Sequence, residues 1–529
     1  MTTPDTTWAN FTEHGPWVLD RDALSWGRTA VVLRGNARRE VPRLITPRRV
    51  PPVARMAVVV ARFGWALLPW WWAKRRGRFA TPEASRAHLS LRLRRAIERL
   101  GATYIKLAQI ISSGQGLFPA ELVDEFKKCR DRVPPEAWED VQRTVEQDLG
   151  ARIDQVFSSF DRESLAAASI AQVHRATLLT GEDVVVKVQR PDVSALVRRD
   201  LAVMAWLAPF LIGRIKVAAL ANPPALVELF AETIVEELDF RMEAANMVDV
   251  GVMLHDLEQH SFVVPRPHPS LVARRVLVME RLSGFAFDDV VGMRSAGIDT
   301  EDVVRTGMIS FMEGALIHGV FHGDLHGGNL FVLGDGRTAL LDFGIVARLS
   351  DRRRQAFLRL MLGATTNDLR GQVRALCDLG ALPADTDIEA VIRDLGLEQP
   401  TVDPTTMSGE ELVAEVQRIV KALLAYGAKL PKELMLYVKN MVFLDGAIAL
   451  LAPDLDIIGE LTNISMLFMQ RHGLRIAQEL GVSTDDMKVD MSGLKQGLGV
   501  DESVNSMTYR ELQARRDLIN RRMREHIRP

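Results

Sequence analysis

His322-Gly323-Asp324-Leu325-His326-Gly327-Gly328-Asn329 is followed, after a short β-rich patch between Leu330 and Leu341, by Leu341-Asp342-Phe343-Gly344. Together the two segments hold a carboxylate, an amide five positions later and a second carboxylate. Gly319, Gly323, Gly327 and Gly328 each cost a helix about 1 kcal/mol, so the first segment is predicted to be a loop. This argues against a zinc reading of His322 and His326, whose i, i+4 spacing matches H-E-x-x-H but needs a helix. His326 is read instead as a residue that orders the loop.

Phosphoryl transfer needs a carboxylate near the attacking oxygen, an amide oxygen to hold Mg²⁺, and a carboxylate that bridges the ion to the phosphates. Asp324, Asn329 and Asp342 fill these roles in the order of a kinase catalytic loop and its D-F-G segment. Magnesium takes oxygen ligands. Two cysteines, Cys129 and Cys377, supply neither a disulfide framework nor a multi-cysteine zinc site, and they fit a reducing compartment.

A site of this kind also needs a cation on the phosphates, and Lys187 in Val184-Val185-Val186-Lys187-Val188 sits in a strand-like run as the V-A-I-K lysine does. Its carboxylate partner should come from a helix. Among the acids of Glu236-Glu237-Leu238-Asp239-Phe240-Arg241-Met242-Glu243, Glu243 is the choice. No G-x-G-x-x-G precedes Lys187; Ala166-Ala167-Ala168-Ser169-Ile170-Ala171-Gln172-Val173-His174 stands there. Alanine permits close approach but not the backbone freedom of glycine, so a stiffer loop is expected.

The wider pattern is helical from about 84 to 150, β-rich from Ser164 to Pro191 around the turn Thr180-Gly181-Glu182-Asp183, and then helical over 193–211 and 224–255. RRVLVMERL (274–282) reads as a strand, the chain to 458 as mostly helical, and YRELQARRDLINRRMREHIR as a basic amphipathic helix. At 529 residues there is room for about three to four packed units.

The formal net charge of −2 hides an asymmetry. Residues 28–99 hold 18 Lys and Arg against Glu40, Glu83 and Glu98, while the rest of the chain is acidic. Residues 1–55, with scattered Pro and Arg, read as an extended basic arm. MAVVVARFGWALLPWWWA (56–73) is apolar except for Arg62 and precedes Lys74, Arg75, Arg76 and Arg78. A span wants about 20 apolar residues. This run is read as an amphipathic helix in the headgroup region of an anionic membrane, with burial against the body or a true span as alternatives. Nucleic acid is the weaker partner for this charge, and none is expected, because the tryptophans bunch at 70–72 instead of alternating with the cations. The polar, acidic N-terminus shows no secretory pattern, so a cytoplasmic chain attached to the inner face of the cell membrane is expected.

The chain resembles the UbiB-type (aarF-like) atypical kinases associated with quinone biosynthesis, over roughly residues 95–455. The markers are Lys106-Leu107-Ala108-Gln109, the Ala-rich loop ending AQVH, VVVKVQRP, ELD…EAAN, HGDLHGGN and LDFG. HGDLHGGN alone also resembles aminoglycoside and choline kinases. The resemblance implies an α+β, two-lobed protein-kinase-like fold whose helical N-terminal extension packs on the active site. It implies ATP or ADP with Mg²⁺ as cofactors. Its nucleotide-binding set would be Ala167, Ala168, Ser169, Lys187, Glu280, Asn329 and Asp342. Asn329 and Asp342 would ligate the metal, and Asp324, Lys187 and Glu243 would be catalytic. The KxGQ-type helix would lie over the site, with Lys106 and Gln109 regulatory and Lys106 paired to Glu237 and Asp239. Ala108 replaces the glycine of KxGQ, and the transmembrane C-terminus of some members is not evident.

The expected organisation is an arm (1–55), a membrane-surface segment (56–83), a helical extension (84–150), an N-lobe (151–285), a C-lobe (286–460) and a helical tail (461–529). The function expected is an Mg-dependent ATPase or phosphotransferase acting in isoprenoid-quinone or lipid metabolism, with a lipid or quinone precursor as a partner. A small-molecule or lipid kinase and a non-catalytic nucleotide-gated scaffold are the rivals.

Overall fold

The computed structural model describes residues 11, 15–17, 19, 20, 23–47, 52–112, 119–129, 135–211, 223–365, 368–396, 407, 408, 411, 418, 419, 422, 423, 425–428, 431–481, 495 and 503–526. Two compact units divide it. The first comprises Met1–Val252, Val263–Ser283 and Ala339–Ile345; the second comprises Met253–Phe262, Gly284–Thr338 and Val346–Pro529.

In the first unit the described helices are α1 (Ser25–Ile45), α2 (Val53–Arg75), α3 (Pro82–Leu100), α4 (Ala102–Ser112), α5 (Ala120–Phe126), α6 (Trp138–Leu149), α7 (Ile153–Val156), α8 (Val193–Leu211), α9 (Pro223–Glu236) and α10 (Phe240–Asp256). The strands are β1 (Phe157–Phe160), β2 (Ala166–Ala167), β3 (Ala171–Leu178), β4 (Asp183–Gln189), β6 (Pro267–Val272) and β7 (Val276–Glu280), with the short β5 (Phe262–Val263) at the unit boundary. They form an antiparallel sheet ordered β1-β3-β4-β7-β6, with β2 on β3.

The alternation of β4 explains what the sheet does. Val184, Val186 and Val188 are each 2% exposed or less and pack with Val276 and Val278 of β7 and Val141 and Val145 of α6. Side chains alternate across a strand, so Lys187 faces the other side, where α10 brings Glu243 to it. Burying this valine row contributes about 1.5–3 kcal/mol per side chain, enough to hold the register that aims the lysine.

Residues 1–55 are not simply an extended arm. Residues 25–45 form a helix whose buried positions, Trp26, Ala30, Ala37 and Val41, recur at helical spacing. Gly27, Gly35 and Pro42 weaken its intrinsic propensity, and docking of that stripe compensates. Trp26 Nε1 donates to the Pro269 carbonyl at 3.0 Å, and Arg198 of α8 pairs with Glu40 at 2.7 Å.

The α2 helix docks one face, with Arg55 on Asp200 at 2.6 Å and Trp70 Nε1 on the Ser85 carbonyl at 3.1 Å. Its other face exposes Val58, Val60, Trp65, Leu68, Trp71 and Trp72. Both faces are therefore largely apolar, and the amphipathic expectation is corrected: besides Arg55 and Arg62 the cations collect at the C-terminal end, where Lys74, Arg75 and Arg76 lie over the rings of Trp70, Trp71 and Trp72. The helical stretch expected over 224–255 is two helices. It breaks at Glu237–Asp239, because Asp239 Oδ1 accepts the Arg241 N–H and so caps α10.

The second unit holds α11 (Val290–Ser295), α12 (Thr300–Glu313), α13 (Asp351–Thr365), α14 (Leu369–Leu379), α15 (Ile388–Leu395), α16 (Lys432–Leu451), α17 (Ile457–Leu480) and α18 (Tyr509–His526). Strand β8 (Phe285–Ala286) pairs with β10 (Leu330–Val332), and β9 (Val320–His322) pairs with β12 (Val346–Arg348). The short β11 (Thr338–Leu340) spans the other boundary. A π-turn at Gly314–His318 ends in Gly319, whose φ of +80° turns the chain into β9.

Among the described residues two helices are long and apolar enough to cross a membrane: α2, with 11% of its apolar window buried, and α16, with 44%. The buried stripe Tyr437, Asn440, Leu444, Ala447 and Leu451 makes α16 a helix packed on its own unit.

Candidate active site

In the first unit, Lys187 Nζ donates to Glu243 Oε1 at 2.6 Å and to Asp342 Oδ2 at 3.1 Å. Lys187 and Glu243 are buried, whereas the Asp342 side chain is 40% exposed. Burial opposes charge on the ammonium, but Asp342 and then Glu243 outweigh it and hold the lysine protonated, above its ordinary range. The D-F-G turn is fastened on several sides. Gly344 N–H donates to Asp342 Oδ1 at 2.8 Å, Phe343 N–H to Glu243 Oε1 at 3.4 Å, and Asn246 Nδ2 to the Phe343 carbonyl at 2.8 Å.

Helix α4 carries the K-x-x-Q residues. Lys106 pairs with buried Glu237 at 3.1 Å. Asp239 does not share that lysine: it pairs with Arg241 at 2.7 Å, because its position at the start of α10 commits it to capping. A Cβ built on Gly344 would lie 3.3 Å from Glu237 Cγ, so the Lys106–Glu237 pair abuts the D-F-G turn. Ala108 is fully buried, so the methyl that stands at the position of the expected KxGQ glycine is accommodated. Gln109, three positions after Lys106, is half-buried, its carbonyl accepting the Ser112 hydroxyl at 2.7 Å.

The Ala-rich segment is a tight hairpin. Ala168 N–H donates to the Ala171 carbonyl at 2.8 Å, Ala167 pairs with Gln172, and Ser169 is buried. Among the described residues only Asp192 and Glu258 are non-glycine positions with positive φ, so this turn runs without the left-handed conformations a glycine loop uses. Arg190 holds it, with Nε on the Ala168 carbonyl at 2.9 Å and its own N–H on the Ile170 carbonyl at 2.9 Å. Glu280 ends β7, buried, with Oε2 accepting the Arg266 N–H at 3.2 Å.

In the second unit, Asp324 lies in the loop after β9. His322 Nδ1 accepts its N–H at 3.1 Å, and Asn329 Nδ2 donates to its carbonyl at 3.1 Å. That bond turns the Asn329 amide oxygen, the atom a hard cation takes, to the opposite side. His326 Nδ1 accepts the Gly328 N–H at 3.1 Å, so both histidines order the loop. Among the described residues no group of three or more His, Cys, Asp or Glu side chains is placed to hold a metal.

Two residues on α16 were missed in the sequence. Lys439 Nζ donates to Asp324 Oδ1, and fully buried Asn440 donates to the His322 carbonyl while accepting the Leu325 N–H at 3.2 Å. A signal existed, since Lys439-Asn440 interrupts the apolar run LMLYVKNMVFL. Tyr437, packed on Phe311, Phe321 and Phe357, seats the helix that presents them.

The profile of the ABC1 atypical kinase-like domain matches residues 128–376. An uncharacterised protein of Mycobacterium tuberculosis is 37% identical over 361 residues, 67% of this chain and 73% of that protein. The chain belongs to the ABC1 atypical kinase-like family. A probable protein kinase UbiB of Azotobacter vinelandii is 34% identical over 405 residues, covering 74% of this chain and 72% of its own length. An uncharacterised aarF domain-containing chloroplastic protein kinase of Arabidopsis thaliana is 33% identical over 396 residues, 70% of this chain and 73% of that protein. The kinase-like fold with a helical N-terminal region is thus the fold of this ABC1 chain.

Proposed function

We propose that this ABC1 protein is a membrane-associated, Mg-dependent ATP-binding protein with ATPase or phosphotransferase activity that serves isoprenoid-quinone or lipid metabolism. The observation that carries the reading is the buried Lys187 between Glu243 at 2.6 Å and Asp342 at 3.1 Å. A lysine held charged and oriented by a helix carboxylate is what the α and β phosphates of a nucleotide require. Asp342 and Asn329 would be the metal's oxygen ligands; sequence order in the two motifs, not a distance, pairs them. Bound Mg²⁺ would neutralise phosphate charge. Asp324 would accept the proton of the attacking oxygen.

Helix α4 and its Lys106–Glu237 pair beside the D-F-G turn favour a small acceptor, such as water or a lipid headgroup, over a peptide. The link to quinone or lipid metabolism rests on the resemblance to the UbiB-type kinases, to which the relatives called UbiB belong. The exposed apolar face of α2 with its cationic end suits the headgroup region of an anionic membrane, at its inner face.

The test is a thermal shift with MgATP and with MgADP, beside phosphate release without acceptor. Nucleotide at 100 times its Kd stabilises a fold by about 2.7 kcal/mol. Wild type should gain stability, and Asp342→Asn should lose the Mg-dependent part while remaining folded. An equal response of the two proteins would remove Asp342 from the site. Binding without phosphate release would favour the scaffold, and strict dependence on an acceptor would favour the small-molecule kinase.

A further inference from the structure

We propose that Arg34 of α1 is a positioning residue for the D-F-G turn, acting through the side-chain amide of Asn246. Position 34 falls on the docked stripe of α1, between Ala30 and Ala37, where a charge is costly unless it is partnered. The Arg34 guanidinium donates to Asn246 Oδ1 at 2.8 Å and to Asp249 Oδ2 at 3.1 Å, both on α10. On the other side of the same amide, Asn246 Nδ2 donates to the Phe343 carbonyl at 2.8 Å.

An amide has one acceptor end and one donor end. By occupying the oxygen, Arg34 commits the nitrogen to Phe343. The flipped amide would set two oxygens against each other at Phe343 and a nitrogen against the guanidinium. Because Glu243 takes the Phe343 N–H, the peptide on both sides of Phe343 is held by α10, and Asp342 immediately precedes it. A helix at the N-terminal end of the chain thereby sets the orientation of the carboxylate that faces Lys187.

The inference deepens the proposed nucleotide site and rests on it for its consequence, but its geometry is tested without nucleotide. Hydrogen–deuterium exchange on the full-length, ligand-free protein is followed in peptides covering 340–346 and 25–45, for Arg34→Gln, Asn246→Asp and Glu40→Gln. The last removes the Arg198 pair elsewhere on α1 and controls for looser docking. Arg34→Gln should speed exchange at Phe343 and Gly344 about tenfold, as loss of one charge-assisted hydrogen bond implies. Asn246→Asp, which keeps an acceptor for Arg34 but removes the donor, should do the same with α1 still protected. Glu40→Gln should leave 340–346 unchanged. The proposal is overturned if Arg34→Gln leaves 340–346 as protected as in wild type, or if Glu40→Gln exposes it equally.

With nucleotide, Arg34→Gln should raise severalfold the Mg²⁺ concentration needed for stabilisation and leave metal-free nucleotide affinity unchanged; equal loss of both would reduce Arg34 to a structural role. A wild type indifferent to MgATP would tell against the proposed function, and the exchange result would still judge Arg34.

Discussion

Lys439 gives its ammonium hydrogen bond to Asp324, 115 positions away in the chain, so the aspartate of the catalytic-loop motif is neutralised by a helix that the motif does not contain. The side chains are only 18% and 15% exposed. Lys439→Ala is expected to cost about 1–3 kcal/mol in urea unfolding, because it removes a charge-assisted bond from a largely buried carboxylate. Phosphate release should fall at least tenfold. Lys439→Arg, which keeps the cation, should recover most of the stability. Full turnover in a stable Lys439→Ala protein would show that the lysine has no part in the chemistry.

Lys106 and Glu237 form the corresponding pair beside the D-F-G turn. Lys106→Ala should change nucleotide affinity and turnover, while exposed Lys127→Ala on α5's C-terminal flank should not. The buried Glu237 loses its cation, so a stability loss of about 1–3 kcal/mol is also expected. Adding Glu237→Gln should restore stability without restoring nucleotide behaviour. If nucleotide titrations of Lys106→Ala match wild type, the covering-helix idea fails.

The exposed face of α2 sets a third expectation. Deleting residues 1–80 would also remove α1, so substitution is the cleaner test. Trp65→Ser, Leu68→Ser and Trp72→Ser together should reduce partition into anionic vesicles at least a hundredfold, since each buried apolar side chain contributes about 1.5–3 kcal/mol. Replacing Lys74, Arg75, Arg76 and Arg78 with Gln should remove the salt-sensitive part, about 1 kcal/mol per charge. Undiminished co-sedimentation of the triple variant would transfer the role to α18.

His268 provides a pH dependence. Its Nδ1 accepts the N–H groups of Ser270 and Leu271, each at 3.1 Å, and its ring lies 4.8 Å from that of Trp17. Burial, opposed by Glu182, pushes the imidazole down to about 4. The unfolded chain therefore takes this proton first as pH falls. The stabilisation is complete above pH 6.5 and is lost on the way to pH 4. Between pH 7 and 5 it amounts to at most about 2 kcal/mol, less for solvent screening. Urea midpoints followed by tryptophan fluorescence should show a shallower acid loss in His268→Asn, which keeps an acceptor. Parallel pH profiles would assign the acid loss to other groups.

The residues legible in the sequence are those whose surroundings are local. Val184, Val186 and Val188 alternate with Lys187, so a period of two already put the lysine on the face opposite the core. The Gly-rich loop, the short strands after it and the D-F-G turn follow one another in the chain, so Asp324, Asn329 and Asp342 could be named from spacing. Glu243 was reachable because its segment reads as helical and carries acids at helical spacing.

Other features depend on partners far along the chain. A weak helix such as α1 exists because Trp26, Ala30 and Val41 find a surface to bury on, and nothing within residues 25–45 announces that surface. Asp239 was matched to Lys106 from the motif, but an N–H two residues away competed successfully for it. Arg34 on Asn246, and Lys439 and Asn440 on the loop that begins at His322, join segments separated by 115 to 212 residues. Sequence alone determined which lysine, amide and carboxylates the proposed site contains, because those groups sit in contiguous motifs of fixed local geometry. Tertiary structure decided which charges neutralise them and which way their amides and carboxylates point, because desolvated partners are chosen by packing across the fold and leave no period in the chain.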